Sequence, residues 1–183
     1  MSYKLVTQTY SSSKNPKKAI IGIHGWTGDE YVFEPIVKLL KIENAKWYLP
    51  RAPYKAESKN GNSWFAGNDV DGWEFDKTFD GMNNLINEIQ NSGFSNSNIF
   101  LIGFSQGACL AIDFGLRLPF PIGGIIPIAG FIKFKTKLLN EATKESINTP
   151  ILLMHGNKDD IIPIKASETA NQILTERDHP VHF

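Results

Sequence analysis

Cysteine is nearly absent: Cys109 is the single one in 183 residues. No disulfide can form within the chain, and its fold must rest on a packed core. Net charge is absent as well. Nineteen Lys and Arg balance nineteen Asp and Glu, which removes the long-range field that gathers nucleic acid, an anionic membrane or a polyanionic substrate. No apolar run approaches the roughly 18 residues of a membrane span. The opening Met1-Ser2-Tyr3-Lys4-Leu5 carries no apolar stretch of the kind a secretory leader needs. The chain contains no H-E-x-x-H helix, no Cys/His cluster and no phosphate-binding loop, so neither a metal nor an organic cofactor is expected. Internal repeats and low-complexity tracts are missing too. Together these absences predict one cytoplasmic domain over residues 1–183, acting on a small molecule as a monomer or homodimer.

What is present is an alternation of short apolar runs with stretches of helical period, the pattern of βαβ units and a mainly parallel sheet. The runs are Lys18 to Ile23, Ala45 to Leu49, Asn98 to Gly103, Ile122 to Ile128 and Pro150 to Met154. Several are unbroken Ile, Leu, Val and Phe, as strands with helices on both faces should be. Tyr3 to Tyr10 alternates and predicts an antiparallel edge strand. Three apolar stripes at steps of three and four predict helices with a core-facing side. They are Phe33, Ile36, Val37 and Leu40; then Phe75, Phe79, Met82, Ile86 and Ile89; then Ala166, Ala170, Ile173 and Leu174. From about Pro50 to Gly72 the sequence predicts one long irregular segment, of the kind that is usually functional or mobile.

Three short motifs carry chemistry. Gly103-Phe104-Ser105-Gln106-Gly107 lies between the apolar run Asn98 to Ile102 and a helical stretch from Gln106 to Leu118 that ends at Pro119. Strand, sharp turn and helix form a nucleophile elbow, in which the glycines permit the turn and Ser105 Oγ stands above the strand end. The following helix aims its N-terminal N–H groups at a developing oxyanion. Gly22-Ile23-His24-Gly25-Trp26 closes an earlier strand, and its turn supplies a second donor. The expected oxyanion donors are therefore the backbone N–H groups of Trp26 and Gln106. The spacing of Gly22, Gly25 and Gly28 is wrong for a dinucleotide fingerprint. The third motif, Ile151 to Pro163, runs from a strand into a loop with Asp159 and Asp160; on chemistry alone either acid can orient an imidazolium.

With these motifs in order, the chain resembles the acyl-protein thioesterase and carboxylesterase (phospholipase/carboxylesterase) family of the α/β-hydrolase fold. His24-Gly25, Pro50-Arg51-Ala52-Pro53, Ser63-Trp64-Phe65, the G-F-S-Q-G elbow and His155-Gly156-x-x-Asp159-x-x-Ile162-Pro163 carry the resemblance. It implies a serine hydrolase that cleaves carboxylic esters or thioesters through an acyl-enzyme at Ser105, with Asp159 as the triad acid. Trp26 and Thr27 depart from the small or aliphatic residues common after that His-Gly. Trp64, Phe65 and Trp73, with Trp26, are candidates for an apolar acyl pocket, or for simple packing.

The general base is the difficulty. Four histidines exist. His24 and His155 belong to turn motifs, where histidine usually braces a loop. His179 and His182 follow the acid in chain order, and His182 is the candidate within the sequence. Pro180 to Phe183 reads as the start of the last strand, however, while the resemblance puts the histidine in a loop beyond that strand. The expectation is a C-terminally truncated hydrolase whose last strand and helix are incomplete and whose base lies past Phe183. The alternative is a noncatalytic hydrolase-fold binding protein.

Overall fold

A computed structural model describes residues 3–57 and 60–183. In chain order the elements are β1 (Thr7–Ser11), β2 (Lys18–Ile23), α1 (Glu34–Leu40), β3 (Ala45–Pro50), β4 (Tyr54–Lys55) and β5 (Asn62–Ser63). Next come β6 (Ala66–Asn68), β7 (Gly72–Glu74), α2 (Asp76–Asn91), β8 (Ile99–Phe104) and α3 (Gln106–Gly115). β9 (Gly124–Ile128), α4 (Lys135–Glu141), β10 (Ile151–Leu152), α5 (Ile164–Thr175) and β11 (Val181–His182) complete them. Seven strands form one sheet in the order β1-β3-β2-β8-β9-β10-β11. Only β1 runs antiparallel, Thr7 opposite Pro50 and Ser11 opposite Lys46; the other pairs are parallel. This is the α/β-hydrolase type of fold that the sequence predicts.

The alternation of side chains along each strand splits the core in two. Ile21, Ile23, Ile99, Leu101, Ile125 and Ile151 cluster with Met82, Leu85, Ile86 and Ile89 of α2 and with Leu110 and Phe114 of α3. Ile20, Trp47, Leu49 and Ile102 form the second cluster, under Phe33 and Val37. The two faces are unequally covered. Leu152 and Met154 are each 46% exposed, while their neighbours Ile151 and Leu153 are buried.

Two expectations are corrected. The stripe on α1 is not all core: Phe33 is buried, but Ile36 is 39% and Leu40 50% exposed. The helix is only seven residues long and stops at Lys41, in the left-handed region at φ 46°, so a single row of side chains reaches the sheet. The segment from Pro50 to Gly72 also has local order, with two small antiparallel ladders, β4–β5 and β6–β7. Gly67 and Gly72 take positive φ at the second ladder, and Asn68 Oδ1 accepts from the Val70 and Asp71 N–H groups. Among the described residues no helix is long and apolar enough to cross a membrane.

α3 carries two buried polar side chains. The Cys109 thiol is pushed up to about 12 by burial. Asp113 accepts from Arg117 Nη1 at 2.7 Å, but its Oδ1 has no partner, and Arg117 is shared with Glu141 at 2.9 Å. Desolvation therefore outweighs the ion pair and raises the Asp113 carboxyl from 3.8 to about 6. Folding increases this group's proton affinity, so its contribution to stability is complete below about pH 4 and is lost as pH rises through about 6. In urea titrations the stability of the parent relative to Asp113→Asn is expected to fall, by on the order of 2 kcal/mol, between pH 4 and 7. A difference that grows with pH contradicts this account.

Candidate active site

β2 and β8 lie side by side, Ile23 opposite Gly103, so the two glycine turns leave the sheet from neighbouring strand ends. Ser105 joins β8 to α3 at φ 52° and ψ −115°, a strained conformation for a residue with a side chain. Its N–H donates to Ile128 O at 2.9 Å, and its carbonyl accepts from Ala108 and Cys109, starting the helix. A side chain on Gly103 would be driven into the backbone of Gly107, and one on Gly107 into the carbonyl oxygens of Ile23 and His24. Gln106 is the first residue of α3, and its N–H belongs to the group that has no acceptor within a helix.

The turn after β2 is braced by His24. Ala52 N–H donates to His24 Nε2 at 3.1 Å, so Nδ1 carries the proton and donates to Gly25 O at 2.7 Å. Burial lowers the proton affinity of this ring, and its two nitrogens are occupied. It is a brace, and Glu30 steadies the same loop by pairing with Arg51.

Met154 pairs with Ile128, whose carbonyl holds Ser105 N. The acid loop thus starts level with the elbow, two strand spacings or about 10 Å away. Asp159 Oδ1 accepts from the N–H groups of Ile162 and Ile161, both at 2.9 Å, which hold its carboxyl below the ordinary value. Its Oδ2 stands 3.7 Å from His155 Nε2. His155 donates from Nε2 to Ile162 O at 2.7 Å, with Nδ1 2.6 Å from Ser167 Oγ. Asp160 is exposed.

His182 does not join the site, which corrects the expectation placed on it. It pairs with Leu152 on the edge strand, level with Ile102 by register and three strands from β8. Strand spacing puts it about 15–20 Å from Ser105. His179 precedes that strand, buried, with Nδ1 unpartnered. Among the described residues no histidine hydrogen-bonds to Ser105.

A cleft of about 290 Å³ opens beside Gln106, walled by Trp26, Phe65 and Trp73. Trp73 donates to Asp69 at 2.7 Å, and Lys133 Nζ lies 3.8 Å above its ring. Trp64 is corrected: it is fully buried behind the cleft and does not line it, because its indole N–H is used on His24 O at 2.8 Å. Lys55, Glu57 and Ser63 do line it. Ser63 was visible in the Ser-Trp-Phe motif, but Lys55 and Glu57 sit where the sequence shows only an irregular segment.

The phospholipase/carboxylesterase family model matches residues 6–181. A probable carboxylesterase SOBER1-like protein of Arabidopsis thaliana is 30% identical over 172 residues, covering 86% of this chain and 66% of that protein. Acyl-protein thioesterase 1 of Kluyveromyces lactis is 28% identical, covering 92% of this chain and 81% of that protein. The chain thus spans about two thirds to four fifths of these relatives. The crystal structure of esterase PE8 superposes with a TM-score of 0.85 at 26% identity, covering 98% of this chain and 87% of that one.

The strain at position 105 has a measurable consequence. In a helix interior Gly is less stable than Ala by about 1 kcal/mol. Here Ser105→Gly is expected to be the more stable of the two, by about 1 kcal/mol, because Gly alone adopts this φ freely. Urea denaturation of both variants checks the reversal.

Proposed function

Since the chain belongs to the phospholipase/carboxylesterase family, we propose that it is a serine hydrolase acting on carboxylic esters or thioesters, with Ser105 as nucleophile. The observation that carries this reading is the strained Ser105 at the head of α3, beside an aromatic cleft. Ser105 Oγ attacks the carbonyl carbon, and the N–H groups of Trp26 and Gln106 hold the oxyanion. Collapse expels the alcohol or thiol, protonated by the base that took the Ser105 hydroxyl proton, and leaves an acyl-serine, which water then cleaves. Asp159 is the acid that orients the base. Its hydrogen bonds to Ile161 and Ile162 fix one oxygen and leave the other to face a partner.

The placement of the four histidines favours a second reading. With none against Ser105, a chain that binds an ester-like ligand without turnover also fits the geometry. Fluorophosphonate labelling of the purified protein, with and without added imidazole and with Ser105→Ala as control, separates the two. We expect slow labelling that imidazole accelerates and that Ser105→Ala abolishes. A folded protein that stays unlabelled under both conditions supports the binding reading.

The cleft is at the small end of ligand sites and suits short acyl groups, with Trp73 as one wall. Trp73→Ala is expected to raise the p-nitrophenyl octanoate to acetate rate ratio about tenfold, given what added methylenes contribute in an apolar pocket. An unchanged ratio removes Trp73 from the acyl site.

A further inference from the structure

The two oxyanion donors belong to different elements, and beyond Ile23 and Gly103 no ladder bond couples them. Both are instead tied to one short segment, Asn62 to Phe65. On the turn side, Trp64 Nε1 donates to His24 O at 2.8 Å, Thr27 N to Asn62 O at 2.8 Å and Asn62 Nδ2 to Gly28 O at 3.0 Å. The peptide of Trp26 is therefore held on both sides, at His24 and at Thr27. On the elbow side, the Gln106 carboxamide is clamped at both ends. Its Oε1 accepts from Trp64 N at 3.0 Å and its Nε2 donates to Ser63 Oγ at 2.9 Å. Ser63 Oγ donates its own hydrogen bond to Phe65 O at 2.6 Å. Thr78 Oγ1 closes the set by donating to Trp64 O at 2.6 Å, anchoring the segment to α2.

The direction of every bond is fixed. Phe65 O only accepts, so Ser63 donates to it and must accept from Gln106; Gln106 Oε1 is then the end that faces Trp64 N. A glutamine amide satisfies this arrangement, and the residue carrying it is the one whose backbone N–H faces the oxyanion. Ser63 and Trp64 are buried, so the segment cannot relax into solvent without leaving polar groups unpaired.

We infer that Ser63 and the Gln106 side chain are positioning residues, and that Asn62–Phe65 is a bracket setting the spacing between the Trp26 and Gln106 amides. The inference rests on the reading of Ser105 as nucleophile. It adds that the hydroxyl of Ser63, although the residue lines the cleft, serves the reaction through its bonds to Gln106 and Phe65. A misplacement of about 1 Å costs up to a hundredfold in rate, so the bracket's loss shows in the chemical step and not in ground-state binding.

Ser63→Ala and Gln106→Ala test this, since both keep the Gln106 backbone N–H. Each is expected to lower kcat on p-nitrophenyl acetate about tenfold with KM unchanged within about twofold, on the same positioning argument. The double variant should be no slower than the slower single one, because the two share one hydrogen bond. A second readout needs no turnover: in ¹H–¹⁵N spectra of Ser63→Ala, the Trp26 and Gln106 amides shift and broaden while those of β1 and β3 stay in place. Gln106→Ala, at a half-exposed site, serves if Ser63→Ala fails to fold. Multiplicative losses in the double variant, or Trp26 and Gln106 amides that do not move, overturn the bracket. If the parent protein neither hydrolyses ester nor labels, the hydrolase reading fails, and the amide spectra alone decide whether the bracket exists.

Discussion

Everything at the strand ends depends on a contact between backbones. α3 begins so close to the end of β2 that Gly107 lies against the carbonyl oxygens of Ile23 and His24, with no room for even a methyl group. That approach forces the strain into Ser105, the only residue left to turn the chain between β8 and the helix. Strain of this kind costs on the order of 1–3 kcal/mol and persists only where the surroundings over-determine it. Here they do: Ser105 N is bonded to β9, its carbonyl opens α3, and the helix behind it is buried along nearly its whole length.

The parallel register converts that local fact into a site. β2, β8, β9 and β10 present their carboxyl ends along one edge of the sheet, so the His24-Gly25 turn, the Ser105 elbow and the Asp159 loop leave the sheet along one edge from three different places in the sequence. The Asn62–Phe65 segment then supplies what register cannot, a side-chain link between turns that have left the ladder. The aromatic walls follow from it: Phe65 directly, and Trp73 on the hairpin beyond, joined to it by edge-to-face contacts with Phe134.

Most of the fold was legible in the sequence because parallel, doubly covered strands are written as unbroken apolar runs; β2 was read at its observed ends and β8 within one residue. Glycine spacing made the elbow legible for the same kind of reason, since close backbone approach admits only one residue type. Periodicity failed at α1, where it reports a potential apolar face but not whether a helix two turns long lies flat on the sheet. It also failed over residues 50–72, where ladders of two and three residues are too short to show a period. Trp64 illustrates a different limit. An aromatic residue beside a motif reads as pocket or as packing, and only the partner of its indole N–H decides. His182 had the right chain order, yet order says nothing about how many strands separate two residues.

The lone thiol offers an unexpected instrument. Cys109 lies one turn into the helix that begins at Ser105, buried and with its proton held far above neutral pH. A thiol in that state is inert to alkylating reagents. Any mass tag it acquires records an opening of α3 itself. The protein therefore carries, with no label engineered into it, a clock for the breathing of the helix behind its glycine elbow.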